Sequence, residues 1–86
     1  MASVEARIIL AAIRRDVRDK DMADGMWAVG PMRLEVDMEP EEYEQALGEL
    51  QELGVIALES DEVMVLTDRG REAMADAGLY NRLMGG

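Results

Sequence analysis

Residues 40–77 read PEEYEQALGELQELGVIALESDEVMVLTDRGREAMADA, and this run decides the fold. Pro40 suits the first position of a helix, with Glu39, Glu41 and Glu42 around its positive end. Tyr43, Ala46, Leu47, Leu50 and Leu53 recur at helical spacing and form one apolar face. Gly54 is placed to terminate that helix. Gly48 interrupts it, at a cost of about 1 kcal/mol relative to Ala, and close approach of a neighbour is the expected reason. Residues 55–58 and 63–66 are short β-rich runs. They are joined by Glu59-Ser60-Asp61-Glu62, a good length for a hairpin. Thr67 can cap a further helix on which Gly70, Ala73, Met74 and Ala77 share a packing face, with Gly78 ending it. Leu79, Tyr80, Leu83 and Met84 add a last amphipathic turn.

Upstream of this run, Met32, Leu34, Val36 and Met38 alternate with Arg33, Glu35 and Asp37. Period two over seven residues predicts a half-buried strand. Residues 21–31 show no clear period. Asp19, Asp21, Asp24 and Gly25 resemble a calcium loop only faintly, because the glycine and the closing glutamate fall at the wrong positions. Met26, Trp27, Val29 and Met32 are expected to plug the core around Gly30-Pro31. Further back, Ser3 can cap a first helix running to about Lys20. Ala6, Ile9, Leu10, Ile13 and Val17 form its core-facing stripe. Val4, Ile8, Ala11 and Ala12 form a second apolar face, to be covered either by this chain or by a second copy. Arg7, Arg14 and Arg18 line up between the two faces. Arg14, Arg15, Arg18 and Lys20 crowd the helix C-terminus, where the dipole favours them.

The order of helix, Leu-Gly-Val-Ile, tight hairpin and Leu-Thr-Asp-Arg-Gly-Arg-Glu-Ala over residues 40–77 resembles a winged helix-turn-helix domain. It looks most like the MarR and PadR families of transcriptional regulators. The resemblance implies a recognition helix at residues 43–54, a wing at residues 55–66 and a helix opening at Leu66-Thr67. The expected fold is therefore α+β and winged-helix-like: helix, strand, helix, β-hairpin wing, C-terminal helix, in one domain over residues 1–86. Members of these families place a short helix before the recognition helix. Here that helix is either reduced or lies near residues 22–29. The expected core is Ile9, Leu10, Ile13, Val17, Leu47, Leu50, Leu53, Ile56, Leu58, Met64 and Leu66.

Composition narrows the function. The chain has 86 residues, 49% of them hydrophobic and 33% charged, with a net charge of −10 and neither Cys nor His. Disulfides, zinc-finger sites and Cys or His nucleophile–base pairs are thereby removed. The hydroxyls of Ser3, Ser60 and Thr67 have no His to activate them. Carboxylates are abundant, but so short a chain leaves little room for a substrate cleft. No enzyme activity, catalytic residue, cofactor or metal site is expected. No apolar run reaches the ~18 residues of a membrane span. With no signal peptide read at the start, the expected location is the cytoplasm.

The charge is lopsided. Residues 34–68 hold 12 of the 19 acidic side chains and no Lys or Arg. They include Glu42, Gln45, Glu49 and Glu52 on the outward face of the recognition-like helix, and Glu59, Asp61 and Glu62 at the wing tip. DNA carries about one negative charge per 1.7 Å of duplex, and proteins bind it by releasing its counterions to Lys and Arg. Specific duplex binding is therefore not expected. The expected partner is a protein with a basic surface, contacted by Glu42, Glu49, Glu52, Glu59, Asp61 and Glu62. An inhibitor that imitates nucleic acid is the sharper version. Two alternatives stay open: a DNA-binding regulator using Arg7, Arg14, Arg15 and Arg18, and a structural subunit of a larger assembly. A homodimer contact is expected at Val4, Ile8, Leu79, Tyr80 and Leu83.

Overall fold

The computed structural model describes residues 2–22 and 25–85. Its elements run α1 (Val4–Lys20), β1 (Met26–Ala28), α2 (Val29–Glu35), α3 (Pro40–Glu52), β2 (Ile56–Leu58), β3 (Val63–Leu66), α4 (Asp68–Ala75) and α5 (Ala77–Leu83). The fold class is α+β. The strands form an antiparallel sheet in the order β1-β3-β2, with Trp27 opposite Met64 and Leu58 opposite Met64 on its other side.

Local chemistry sets most helix ends. Ser3 Oγ accepts from Ala6 N at 3.1 Å, and Thr67 Oγ1 accepts from Gly70 N at 3.0 Å. Both satisfy amides that a helix N-terminus leaves orphaned. Glu39 and Glu42 form a capping box around Pro40. Gly54 leaves α3 with φ +76°, a conformation that costs glycine little.

Residues 32–38 are not a strand. Val29–Glu35 is helical, Val36 and Asp37 form a turn, and Asp37 takes φ 55°. Met32 and Met38 are buried, but Leu34 is 70% exposed, so the alternation does not describe one buried face. Val29, Met32 and Val36 are also spaced three and four apart, and these are the residues turned toward the core. Pro31 is tolerated because it lies in the first turn, where its missing N–H would have had no partner. The pairing place beside β3 is taken by β1, whose three residues carry no strand signature of their own. Asp24, weighed above as part of a calcium loop, lies outside the described residues.

The core holds Ile9, Leu10, Ile13, Leu47, Leu50, Ile56, Met64 and Leu66 as expected, with Val17 and Leu53 half-buried against it. Leu58 is 39% exposed, at the end of β2 where the chain enters the exposed hairpin tip. Trp27 is buried, and its Nε1 donates to Asp16 Oδ2 at 3.0 Å, tying β1 to α1. Tyr43 Oη donates to Val29 O at 2.7 Å and ties α3 to the start of α2.

Two glycine expectations change. A Cβ on Gly48 would meet nothing within 4 Å, so no neighbour explains that residue. At Gly70 a Cβ would lie 2.0 Å from Val55 O, and here close approach does demand glycine. The last helix also divides. Asp76 leaves helical conformation and Oδ1 accepts from Gly78 N and Leu79 N at 2.9 and 3.2 Å. A side chain that offers the backbone such bonds ends one helix and starts the next. Ala77 is thus exposed in the first turn of α5 rather than packed on α4, and Gly78 ends nothing.

Candidate protein-binding surface

α3 packs on the core through Tyr43, Ala46, Leu47 and Leu50. At 100° per residue, Glu41, Gln45, Gly48 and Glu52 then form the stripe directly opposite, with Glu44 on its flank. Glu41, Glu44, Gln45 and Glu52 are all exposed, and Gly48 leaves a bare spot among them. At the hairpin tip, Glu59, Asp61 and Glu62 are exposed as well. Glu59 N donates to Val63 O at 2.9 Å, and Glu62 N donates to Ser60 Oγ at 3.2 Å. The tip is thus an ordered turn presenting three carboxylates.

The six expected contact residues do not stand equally free. Glu52, Glu59, Asp61 and Glu62 point to solvent. Glu42 is exposed, but Oε1 accepts from Glu39 N at 3.4 Å in the capping box. Glu49 is half-buried and receives the Ser3 hydroxyl, so it serves the junction of α1 with α3. Together with Glu5, Gln45 and Ala46, these residues line an open hollow beside the N-terminus of α1. Glu41 and Glu44 were not among the expected contacts, though they lie on and beside the outward stripe. Their signal was the helical period of the apolar face, which assigns them to its opposite side. The hairpin tip is held from α2, where Val29 N donates to Glu62 O at 2.9 Å.

Part of the basic end of α1 is engaged within the chain. Arg14 lies 4.3 Å over the Tyr80 ring, Arg15 pairs with Glu35, and Lys20 Nζ is 3.6 Å from the buried Asp16 Oδ1. α5 therefore lies against the Arg14 side of α1. Tyr80 and Leu83 are buried in the core of the same chain, and Leu79 is half-buried against it. Tyr80 and Leu83 are thus used inside the chain, while Leu79 keeps part of its surface open. Val4 and Ile8 do remain open, at 64% and 43% exposure.

Among the described residues, Tyr43 is the one group with a marked titration shift. Burial pushes its phenol up to about 12, against a smaller opposing pull from the Arg33 cation. Among the described residues, no group of three or more carboxylates is placed to hold a metal ion. None of their helices is long and apolar enough to cross a membrane. No family model matches the chain, and neither does any curated protein or solved structure.

Proposed function

We propose that this chain is a non-enzymatic, acidic protein-binding module built as a winged helix. The winged-helix reading draws support from the order α1-β1-α2-α3-β2-β3, with β1 closing the sheet beside the wing hairpin. The short helix that the MarR and PadR resemblance requires ahead of the recognition helix has a counterpart in α2.

One observation carries the functional reading. The two parts that would enter a DNA groove, the outward side of α3 and the hairpin tip, expose Glu41, Glu44, Glu52, Glu59, Asp61 and Glu62. No Lys or Arg occurs anywhere in residues 34–68 to hold a phosphate. Base-edge contacts need phosphate contacts to fix their register, and a surface of this sign repels DNA while drawing basic surfaces toward it. The partner is therefore a protein with a basic surface, and nucleic-acid-binding proteins are the class that carries such surfaces. A regulator reading DNA through α1 would first have to free Arg14 and Arg15 from Tyr80 and Glu35.

Affinity capture from native lysate tests this, run in parallel with a variant carrying Glu44→Gln, Glu52→Gln, Asp61→Asn and Glu62→Gln. The unmodified chain should capture basic proteins that salt releases, and the variant should lose them while keeping its circular dichroism. A sequence-selective, sub-micromolar gel shift of duplex DNA would sink the reading. So would a partner that binds both forms equally.

A further inference from the structure

The sheet has an outward face made only of apolar side chains. Pairing places Met26, Val65 and Ala57 in one row and Ala28 and Val63 in the next. Successive strand residues point to opposite faces. The alternate residues Trp27, Met64, Ile56 and Leu66 are buried, so these five face away from the core. Met26 is 63% exposed, Ala28 is exposed, and Ala57, Val63 and Val65 are half-buried. None of the five belongs to the core cluster or packs against it. An antiparallel sheet with one solvated face usually alternates apolar-in with polar-out, and this face departs from that pattern at all five positions.

Charge decides the occupant. Glu59 continues the register opposite Val63, and Asp61 and Glu62 stand exposed beside it. Both hairpin strands lie inside the segment that lacks Lys and Arg. A second copy would bring another chain of net charge −10, with its own acidic hairpin, against this one. A segment with apolar side chains flanked by Lys or Arg satisfies both the floor and its acidic end.

We propose that the outward sheet face docks a basic amphipathic segment of the protein partner. Its apolar side chains sit on Met26, Ala57, Val63 and Val65, and its cations lie against Glu59, Asp61 and Glu62. The inference rests on the protein-binding reading but uses a surface that α3 does not share.

The test uses the full chain and three labelled twelve-residue peptides, alternating Val–Lys, Ser–Lys and Val–Glu, followed by fluorescence anisotropy and amide chemical shifts. The Val–Lys peptide should bind saturably and shift the amides of Met26, Ala28, Ala57, Val63 and Val65. The Ser–Lys peptide should bind about tenfold more weakly, as expected from losing apolar burial of one or two side chains, and the Val–Glu peptide should not bind. The variant Met26→Lys/Val65→Lys should weaken the Val–Lys complex at least about tenfold. Met26→Lys alone, at an exposed edge position, serves if the double variant does not fold. Equal binding of Val–Lys and Ser–Lys, or shifts confined to Glu41, Glu44 and Glu52, would overturn the inference and leave the acidic α3 reading standing. Failure of Val–Lys to bind would overturn it too, and lysate capture by a Glu44→Gln/Glu52→Gln variant, which leaves the hairpin tip intact, would still report separately on the α3 reading. Concentration-dependent dimerisation abolished by Met26→Lys would replace the partner with a second copy.

Discussion

The same substitution at two glycines should have opposite effects. Gly70 sits in the first turn of α4, where a Cβ would lie 2.0 Å from Val55 O and 3.0 Å from Leu66 Cδ2. Ordinary contact begins at 3.4 Å, so Gly70→Ala forces two backbone segments apart by more than an ångström. Overpacking of this kind costs about 1–3 kcal/mol. The same shift strains the Thr67 N to Val55 O bond, now 3.1 Å, whose loss would cost about 1 kcal/mol. Relief of glycine in a helix returns at most about 1 kcal/mol. The net expectation is a loss of about 2 kcal/mol, or roughly 10 °C in Tm for a chain of this size. At Gly48 nothing opposes the propensity term, because a Cβ meets no atom within 4 Å. Gly48→Ala should therefore gain about 1 kcal/mol. Urea unfolding followed by circular dichroism measures both. A Gly70→Ala chain as stable as its parent would mean that α4 does not dock on Val55. A destabilising Gly48→Ala would mean that something packs against the outward stripe of α3 in the isolated chain.

Other expectations follow from single contacts. The buried Trp27–Asp16 hydrogen bond should appear as a coupling of about 1–2 kcal/mol in a cycle of Trp27→Phe and Asp16→Ala, and strictly additive losses would count against it. Tyr43 titrates near 12 in the folded chain and near 10 when unfolded, so its contribution is intact below pH 10 and fades as pH rises toward 12. Two pH units correspond to about 2–3 kcal/mol. Between pH 10 and 12 the unmodified chain should lose that much more stability than Tyr43→Phe, and parallel pH profiles would refute the assignment. A homodimer through α1 now depends on Val4 and Ile8, so Val4→Glu/Ile8→Glu should lower the mass seen by light scattering. A concentration-independent monomer in the unmodified chain would remove that contact.

Features carried by neighbouring residues were legible in the sequence. Ser3, Thr67, Glu39 with Pro40, and Gly54 set helix ends through bonds or conformations that span a few residues, and the structure keeps each of them. The apolar stripes of α1 and α3 named the helical part of the core, from Ala6, Ile9, Leu10 and Ile13 to Tyr43, Ala46, Leu47 and Leu50, because burial follows helical period directly. The acidity of residues 34–68 needed no coordinates. The tertiary structure decided what competed for partners. Residues 32–38 fit both a strand and a helix, and β1 settled the matter by occupying the edge of β3. Asp76 split the last helix so that α5 could turn Tyr80 onto Arg14, which took Tyr80 and Leu83 out of any dimer surface. Docking of α1 on α3 turned Glu49 toward Ser3 and left Glu41, Glu44 and Glu52 outward. The apolar outer face of the sheet existed only once register was set, because β1 and its partner β3 lie more than thirty residues apart and neither alone makes a face. Local bonds and periodicity are written along the chain. Which surfaces meet, and which are left over, is settled only when distant segments compete for the same neighbours.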